Sequence, residues 1–330
     1  MRRRDFITLV GGTTAAWPLT ARAQQRERVR RIGVIMALNE TDLEAQVWLS
    51  ALMQGLSELG WSGRNLHVDI RWPGGNVDRI RQFGKELVDL QPEVIFASST
   101  PVTAALQRET RTIPIVFVMV ADPVGYGFVK SVRHPGGNIT GFLHTEGEIG
   151  GKWLELLAEI APGVKRAAVI FNPDTASYVP GYYVPSFQAA AQLFKMESIV
   201  APVRSEAEIE TIIASLGREP RGGFISMPDH FLLTHRRPLM LAAAQNNVPG
   251  LYQDSAFVRE GGLLSYGPDF LDIIRRTGSY IDRILSGEKP ADLPLQAPVK
   301  FELAINLKTA KALGLDVPWF LQQRADQLIE

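Results

Sequence analysis

The sequence has no cysteine among its 330 residues. That excludes a disulfide scaffold, thiolate-held zinc or iron–sulfur, a cysteine nucleophile and a lipid-modified N-terminal cysteine. Histidine is scarce: His67, His134, His144, His230 and His235 fit no H-E-x-x-H pattern. His230 and His235 stand five residues apart, whereas a shared helical face needs i,i+4. Net charge is absent as well, with 35 Lys and Arg against 35 Asp and Glu, which argues against nucleic acid as a partner. No G-x-x-x-x-G-K-[ST] and no G-x-S-x-G occurs, and Lys130 stands where the third glycine after Gly125 and Gly127 would complete a dinucleotide fingerprint. No cofactor or metal motif is left. With 45% hydrophobic residues and a mean hydropathy of about zero, the chain is neither disordered nor a multi-span membrane protein.

The one concentrated charge lies at the start. Arg2, Arg3 and Arg4 precede a mild apolar stretch over residues 6–19, and Ala21-Arg22-Ala23 offers an A-x-A cleavage site. Arg3-Arg4-Asp5-Phe6 resembles a twin-arginine export signature. The apolar stretch is too short to cross ~30 Å of hydrocarbon, and Pro18 interrupts it. Residues 1–23 are therefore expected to be a signal removed after Ala23. Its loss takes four of 35 basic and one of 35 acidic residues, leaving 31 against 34 and a net charge of −3.

From residue 30 onward, short β-branched runs alternate with amphipathic stretches, the pattern of βα units on a parallel sheet. Strands are predicted near residues 32–36, 66–72, 94–97 and 113–120, and again near 167–171, 198–201, 224–227 and 249–252. Pairing Val34 with Val169, Val68 with Ile199, Ile95 with Ile225 and Val116 with Tyr252 gives offsets of 135, 131, 130 and 136. So regular a repeat predicts an α/β protein of two similar doubly wound parallel-sheet lobes. The pattern breaks over residues 135–151. The last ~65 residues are too few for a third domain and are expected to complete the two lobes. Lobe 1 is then 24–143 plus about 264–297, and lobe 2 is 144–263 plus about 298–330. Three crossings near 140–146, 260–266 and 295–302 make a hinge, the arrangement that closes around ligands in periplasmic binding proteins.

Open α/β sheets bind ligands beyond the carboxyl ends of their strands. That selects loops carrying Asn39 and Glu40, Ser98-Ser99-Thr100, Asp122, Asn172, Asp229, and Gln253-Asp254, none of which contains a basic residue. Ser98-Ser99-Thr100-Pro101 joins a buried strand to a helix with Pro in its first turn, so hydroxyls and free amides converge on an anion site suited to a carboxylate. Capping of that helix by Ser99 or Thr100 is the competing expectation. Asp254, Asp229, Asp122 and Glu40 are candidates for an ammonium group. Tyr252, Tyr178, Tyr182, Tyr183, Phe142 and Trp48 are candidates for an aromatic wall.

Several segments together carry a family resemblance. They are Ile113-Pro114-Ile115-Val116-Phe117, Asp122-Pro123-Val124, Pro135-Gly136-Gly137-Asn138-Ile139-Thr140-Gly141, Gly261-Gly262-Leu263-Leu264-Ser265-Tyr266-Gly267 and residues 284–315. With them the chain resembles the tryptophan/tyrosine-type substrate-binding proteins of ABC transporters over essentially its whole mature length. The resemblance implies a type I periplasmic-binding fold and a soluble periplasmic monomer without a cofactor. It also implies a small-molecule ligand, such as an aromatic or branched amino acid, and delivery to an inner-membrane permease. It places Ser98, Ser99 and Thr100 on the ligand carboxylate, Asp254 and Asp229 on the amine, and Tyr252 on the side chain. Residues 178–185, rich in Tyr and Pro, depart from the plainer helix start that the resemblance implies. An exported hydrolase-like enzyme on the same two lobes, and a ligand sensor for a membrane receptor, remain the alternatives.

Overall fold

The computed structural model describes residues 29–218 and 222–330, so the proposed export signal lies outside the described residues. Two sheets organise the chain. The first contains β1 (Arg30–Ile35), β2 (Leu66–Arg71), β3 (Val94–Ser98), β4 (Ile115–Val120) and β5 (Ile139–Leu143), in the order β2-β1-β3-β4-β5. Every pairing in it is parallel. The inner strands β3 and β4 read as near-continuous apolar runs because helices bury both faces, whereas the edge strand β2 alternates apolar with polar residues. Those helices include α1 (Leu43–Glu58), α2 (Val77–Asp89) and α3 (Thr100–Glu109).

The chain then enters the second lobe through α4 (Ile149–Ile160). There β6 (Arg166–Phe171), β7 (Glu197–Pro202), β8 (Gly222–Ser226) and β9 (Gly250–Tyr252) repeat the first arrangement as β7-β6-β8-β9. Between them run α5 (Val179–Tyr182), α6 (Val184–Leu193), α7 (Glu206–Arg218), α8 (His230–Thr234), α9 (Arg236–Gln245) and α10 (Ser255–Arg259). The Tyr/Pro-rich segment is thus a short helix, α5, running into α6.

The repeat extends to a fifth strand. β10 (Leu264–Pro268) lies parallel beside β9 as β5 lies beside β4. Residues 264–268, expected at the start of the first lobe's returning segment, therefore pair in the second sheet, and the crossing follows Pro268. α11 (Phe270–Leu285) then packs on α1 in the first lobe, so closely that a Cβ on Gly55 would sit 2.2 Å from the Arg275 carbonyl oxygen. The chain returns through β11 (Phe301–Asn306), antiparallel to β10, and ends with α12 (Leu307–Ala312), α13 (Trp319–Arg324) and β12 (Gln327–Ile329). Three crossings thus join the lobes. Leu143 N–H donates to the Gln296 carbonyl at 2.9 Å, Gln296 N–H to that of Gly141 at 3.0 Å, and Asp269 N–H to that of Lys300 at 3.0 Å.

Candidate functional site

The carboxyl ends of both sheets face one interlobe cavity that is partly open to solvent. The first lobe contributes Ser98, Ser99 and Thr100 after β3, Met119 near the end of β4, and Trp48 from α1. The second contributes Thr175, Tyr178, Asp229, His230, Gln253 and Asp254, while His144 and Phe270 come from the crossings. Among the described residues no Lys or Arg lines it.

Ser98 and Ser99 behave differently although adjacent. The Ser98 hydroxyl accepts from Ala37 N–H at 2.8 Å and so fastens the end of β1 to β3. Ser99 sits at the N-terminus of α3 with φ 118°, a strained backbone for any residue but glycine, and its side chain makes no capping bond. Ser99 Oγ and Thr100 Oγ1 are buried and have no hydrogen-bond partner among the described residues. The amides of Thr100 and Val102, in the open first turn of the helix, likewise have no backbone acceptor there. Two hydroxyls, the Thr100 amide and the positive end of a ten-residue helix therefore converge on the cavity wall. Native structures rarely leave buried polar groups unpaired, so this cluster has the character of an anion site.

The two second-lobe carboxylates are not equivalent. Asp229 accepts from Asn172 N–H at 2.6 Å, Phe231 N–H at 2.9 Å and the Thr175 hydroxyl, so both its oxygens are engaged. Burial raises its pKa to about 6 against the pull of those donors. Asp254 accepts only from Ala256 N–H, at 2.8 Å, which leaves its second oxygen free of any partner among the described residues. Burial, reinforced by the nearby Glu44 carboxylate, pushes its pKa up to about 7. A cation placed there would restore the charge that desolvation disfavours. Burial likewise holds His144 and His230 neutral, with pKa values lowered to about 3 and about 4.

Of the sequence candidates, Ser98, Ser99, Thr100, Asp229 and Asp254 meet at the cavity, as do Trp48 and Tyr178. The other candidates lie outside its lining. Asn39 and Glu40 are exposed, Asn39 lining a separate surface groove with Asp42 and Arg236. Asp122 turns back to accept from Gly125 N–H at 2.9 Å. Asn172 braces its own loop, accepting from Asp174 N–H at 2.8 Å. Tyr252 is packed in the core of the second lobe, stacked on Phe257 with ring centroids 4.7 Å apart. Tyr183 is also buried, its hydroxyl 2.7 Å from Thr145 Oγ1 at the crossing. The cavity further takes in Met119, His144, His230 and Phe270, which sequence reasoning did not propose. One local trace was available for Gln253 and Thr175: both sit in strand-end loops already selected.

Two hinged α/β lobes that enclose a cavity at their strand ends define a type I periplasmic-binding fold. The chain belongs to the family described as ABC transporter substrate binding protein, which it matches over residues 31–329. It is 25% identical over 294 residues to a "Tyrosine-binding protein" of Clostridioides difficile, covering 88% of this chain and 82% of that one. A conserved domain protein from Vibrio cholerae superposes with a TM-score of 0.83 at 27% identity, covering 91% of this chain and 100% of the other. An ABC domain from Streptococcus pneumonia, solved with L-Trp, gives 0.83 at 24% identity, with the same coverage of both chains.

Proposed function

We propose that this chain is the periplasmic substrate-binding component of an ABC uptake system and carries a free α-amino acid with an aromatic side chain. The observation that supports this most is the polarity of the cavity. The unpartnered hydroxyls of Ser99 and Thr100 and the Thr100 amide in the first lobe suit a carboxylate, and the free oxygen of Asp254 in the second suits an ammonium. A zwitterion engages both only when the lobes meet, so its binding favours the closed form by its preference for that form. Trp48, Phe270, Tyr178, Met119 and Leu233 supply the apolar wall that an aromatic ring requires. The tyrosine in the name of the Clostridioides relative and the L-Trp bound in the Streptococcus structure agree with this class. Export through the 1–23 leader and docking on an inner-membrane permease complete the reading. It assigns the chain no catalytic residue: His144 Nδ1 meets the Thr145 hydroxyl at 3.2 Å.

Thermal-shift screening of the mature protein against amino acids, aromatic acids, sugars and purines tests the reading, since a ligand of the native state raises the melting temperature by mass action. Stabilisation confined to aromatic L-amino acids supports it. Stabilisation by sugars or purines alone, or hydrolytic turnover of any of these compounds, overturns it.

A further inference from the structure

Next to the cavity, charged side chains meet across the two lobes. Arg236, at the start of α9 in the second lobe, donates to both oxygens of Asp42 in the first, at 2.8 and 3.1 Å. Arg259, at the end of α10, donates to Glu44 Oε2 at 2.8 Å. The Asp42–Arg236 pair is buried, its side chains 14% and 9% exposed, whereas the second pair joins a buried Glu44, 13% exposed, to an Arg259 side chain that is 42% exposed. A cation buried at a helix N-terminus, as Arg236 is, gains nothing from its own helix. Its position has to be explained by what it faces.

Each of these groups also has a partner within its own lobe. Asp42 caps α1 by accepting from Glu44 N–H at 3.0 Å. Glu44 Oε1 accepts from the Trp48 indole at 3.0 Å. Arg236 holds Glu260 at 2.8 Å, and Arg259 donates to Ser255 Oγ at 2.8 Å. If the lobes part, the cross-lobe bonds break and every charge keeps an internal partner. The penalty for stranding a buried charge, which makes most buried pairs irreversible commitments, is therefore avoided.

We propose that Asp42–Arg236 and Glu44–Arg259 form a reversible charge latch that sets how long the closed form lasts, with Glu44 coupling it to the occupant. Glu44 holds with one oxygen the ring that walls the cavity and with the other the second lobe. Arg259 lies on α10, the helix whose first turn Asp254 caps. A ligand that settles Trp48 and Asp254 thereby settles both ends of the Glu44–Arg259 bond. The proposal rests on the two-lobed receptor reading, not on the identity of the ligand. Asp42, Glu44, Arg236 and Arg259 are positioning residues: none lines the cavity.

The test uses charge-removing variants that keep the internal roles. Asp42→Asn still caps a helix, and Glu44→Gln still offers the Trp48 indole an oxygen. The absence of cysteine lets Ser50→Cys and Leu193→Cys, one exposed position in each lobe, carry a spin-label pair. The latch predicts a larger open population in each ligand-free variant than in the parent, and recovery of the closed distance in the swap Glu44→Arg with Arg259→Glu. With L-tyrosine and L-tryptophan as probes, each single variant is expected to dissociate about tenfold faster with little change in association, the size of a ~1.4 kcal/mol pair. Distance distributions and dissociation rates equal to the parent's overturn the latch. If neither amino acid binds the parent, the aromatic reading fails and the ligand-free distances alone decide the latch.

Discussion

Replacing Ser99 by Gly and Thr100 by Val should move the free protein and its complex in opposite directions. In the free protein Ser99 holds φ at 118°, a conformation that costs a non-glycine residue on the order of 1–3 kcal/mol. Its hydroxyl and that of Thr100 are buried without partners, each at a cost of about 1–3 kcal/mol. The double variant removes strain and both orphans, and returns only ~0.5–1 kcal/mol as extra glycine entropy in the unfolded chain. The melting temperature of the free protein should therefore rise by a few degrees. Under the proposed function the same hydroxyls donate to a ligand carboxylate in the complex, where each bond would be worth about 1.5–3 kcal/mol. Losing two should weaken binding by roughly 100-fold or more. Differential scanning fluorimetry without ligand, and calorimetric titration with L-tyrosine and L-tryptophan, read the two effects separately. A lower melting temperature with unchanged affinity would refute the reasoning and make both hydroxyls structural.

Four further outcomes follow from the same geometry. Asp254→Asn should cut affinity for an amino acid by at least about tenfold, since it removes the charge facing the ammonium. Because burial raises the Asp254 pKa to about 7, the folded chain keeps a proton that the unfolded chain releases from about pH 4 upward. Wild type should therefore lose stability relative to Asp254→Asn as pH rises through that window, with the gap fully open by pH 8 and closed below pH 4 in paired thermal melts. Ligand affinity should fall as pH drops below about 7, with a proton released on binding, visible as a dependence of calorimetric heat on buffer. Gly55→Ala should destabilise the first lobe by several kcal/mol in urea unfolding, because its Cβ would meet backbone at 2.2 Å where α1 crosses α11.

The fold was legible where burial is local in sequence. Strands covered on both faces spell unbroken apolar runs, such as residues 115–120, and the spacing between equivalent runs exposed the repeat. The fifth repeated strand escaped this arithmetic. β5 and β10 begin 125 residues apart, at Ile139 and Leu264, off the spacing of the other four pairs. That Ser99 and Thr100 reach the cavity was legible for the same local reason, since Ser99-Thr100-Pro101 is a strand end running straight into a helix. Which carboxylate keeps a free oxygen was not, because that depends on neighbours far along the chain. Asp229 is consumed by Asn172 and Thr175, more than fifty residues away, whereas Asp254 meets only the helix it caps. Tyr252 shows the same limit. Its strand position alone does not say that the ring turns onto Phe224 and Phe257 rather than toward the cleft. Nor does the sequence announce Arg236 facing Asp42 across 194 residues.

The central claim is that one zwitterion is read by both lobes, its carboxylate at Ser99 and Thr100 and its ammonium at Asp254. Calorimetric titration of the mature protein with L-tyrosine and L-tryptophan, set beside their N-acetyl and carboxamide derivatives, tests this most directly. The account predicts measurable binding of at least one free amino acid and loss of binding when either end is capped. Equal affinity for free and doubly capped forms would contradict it.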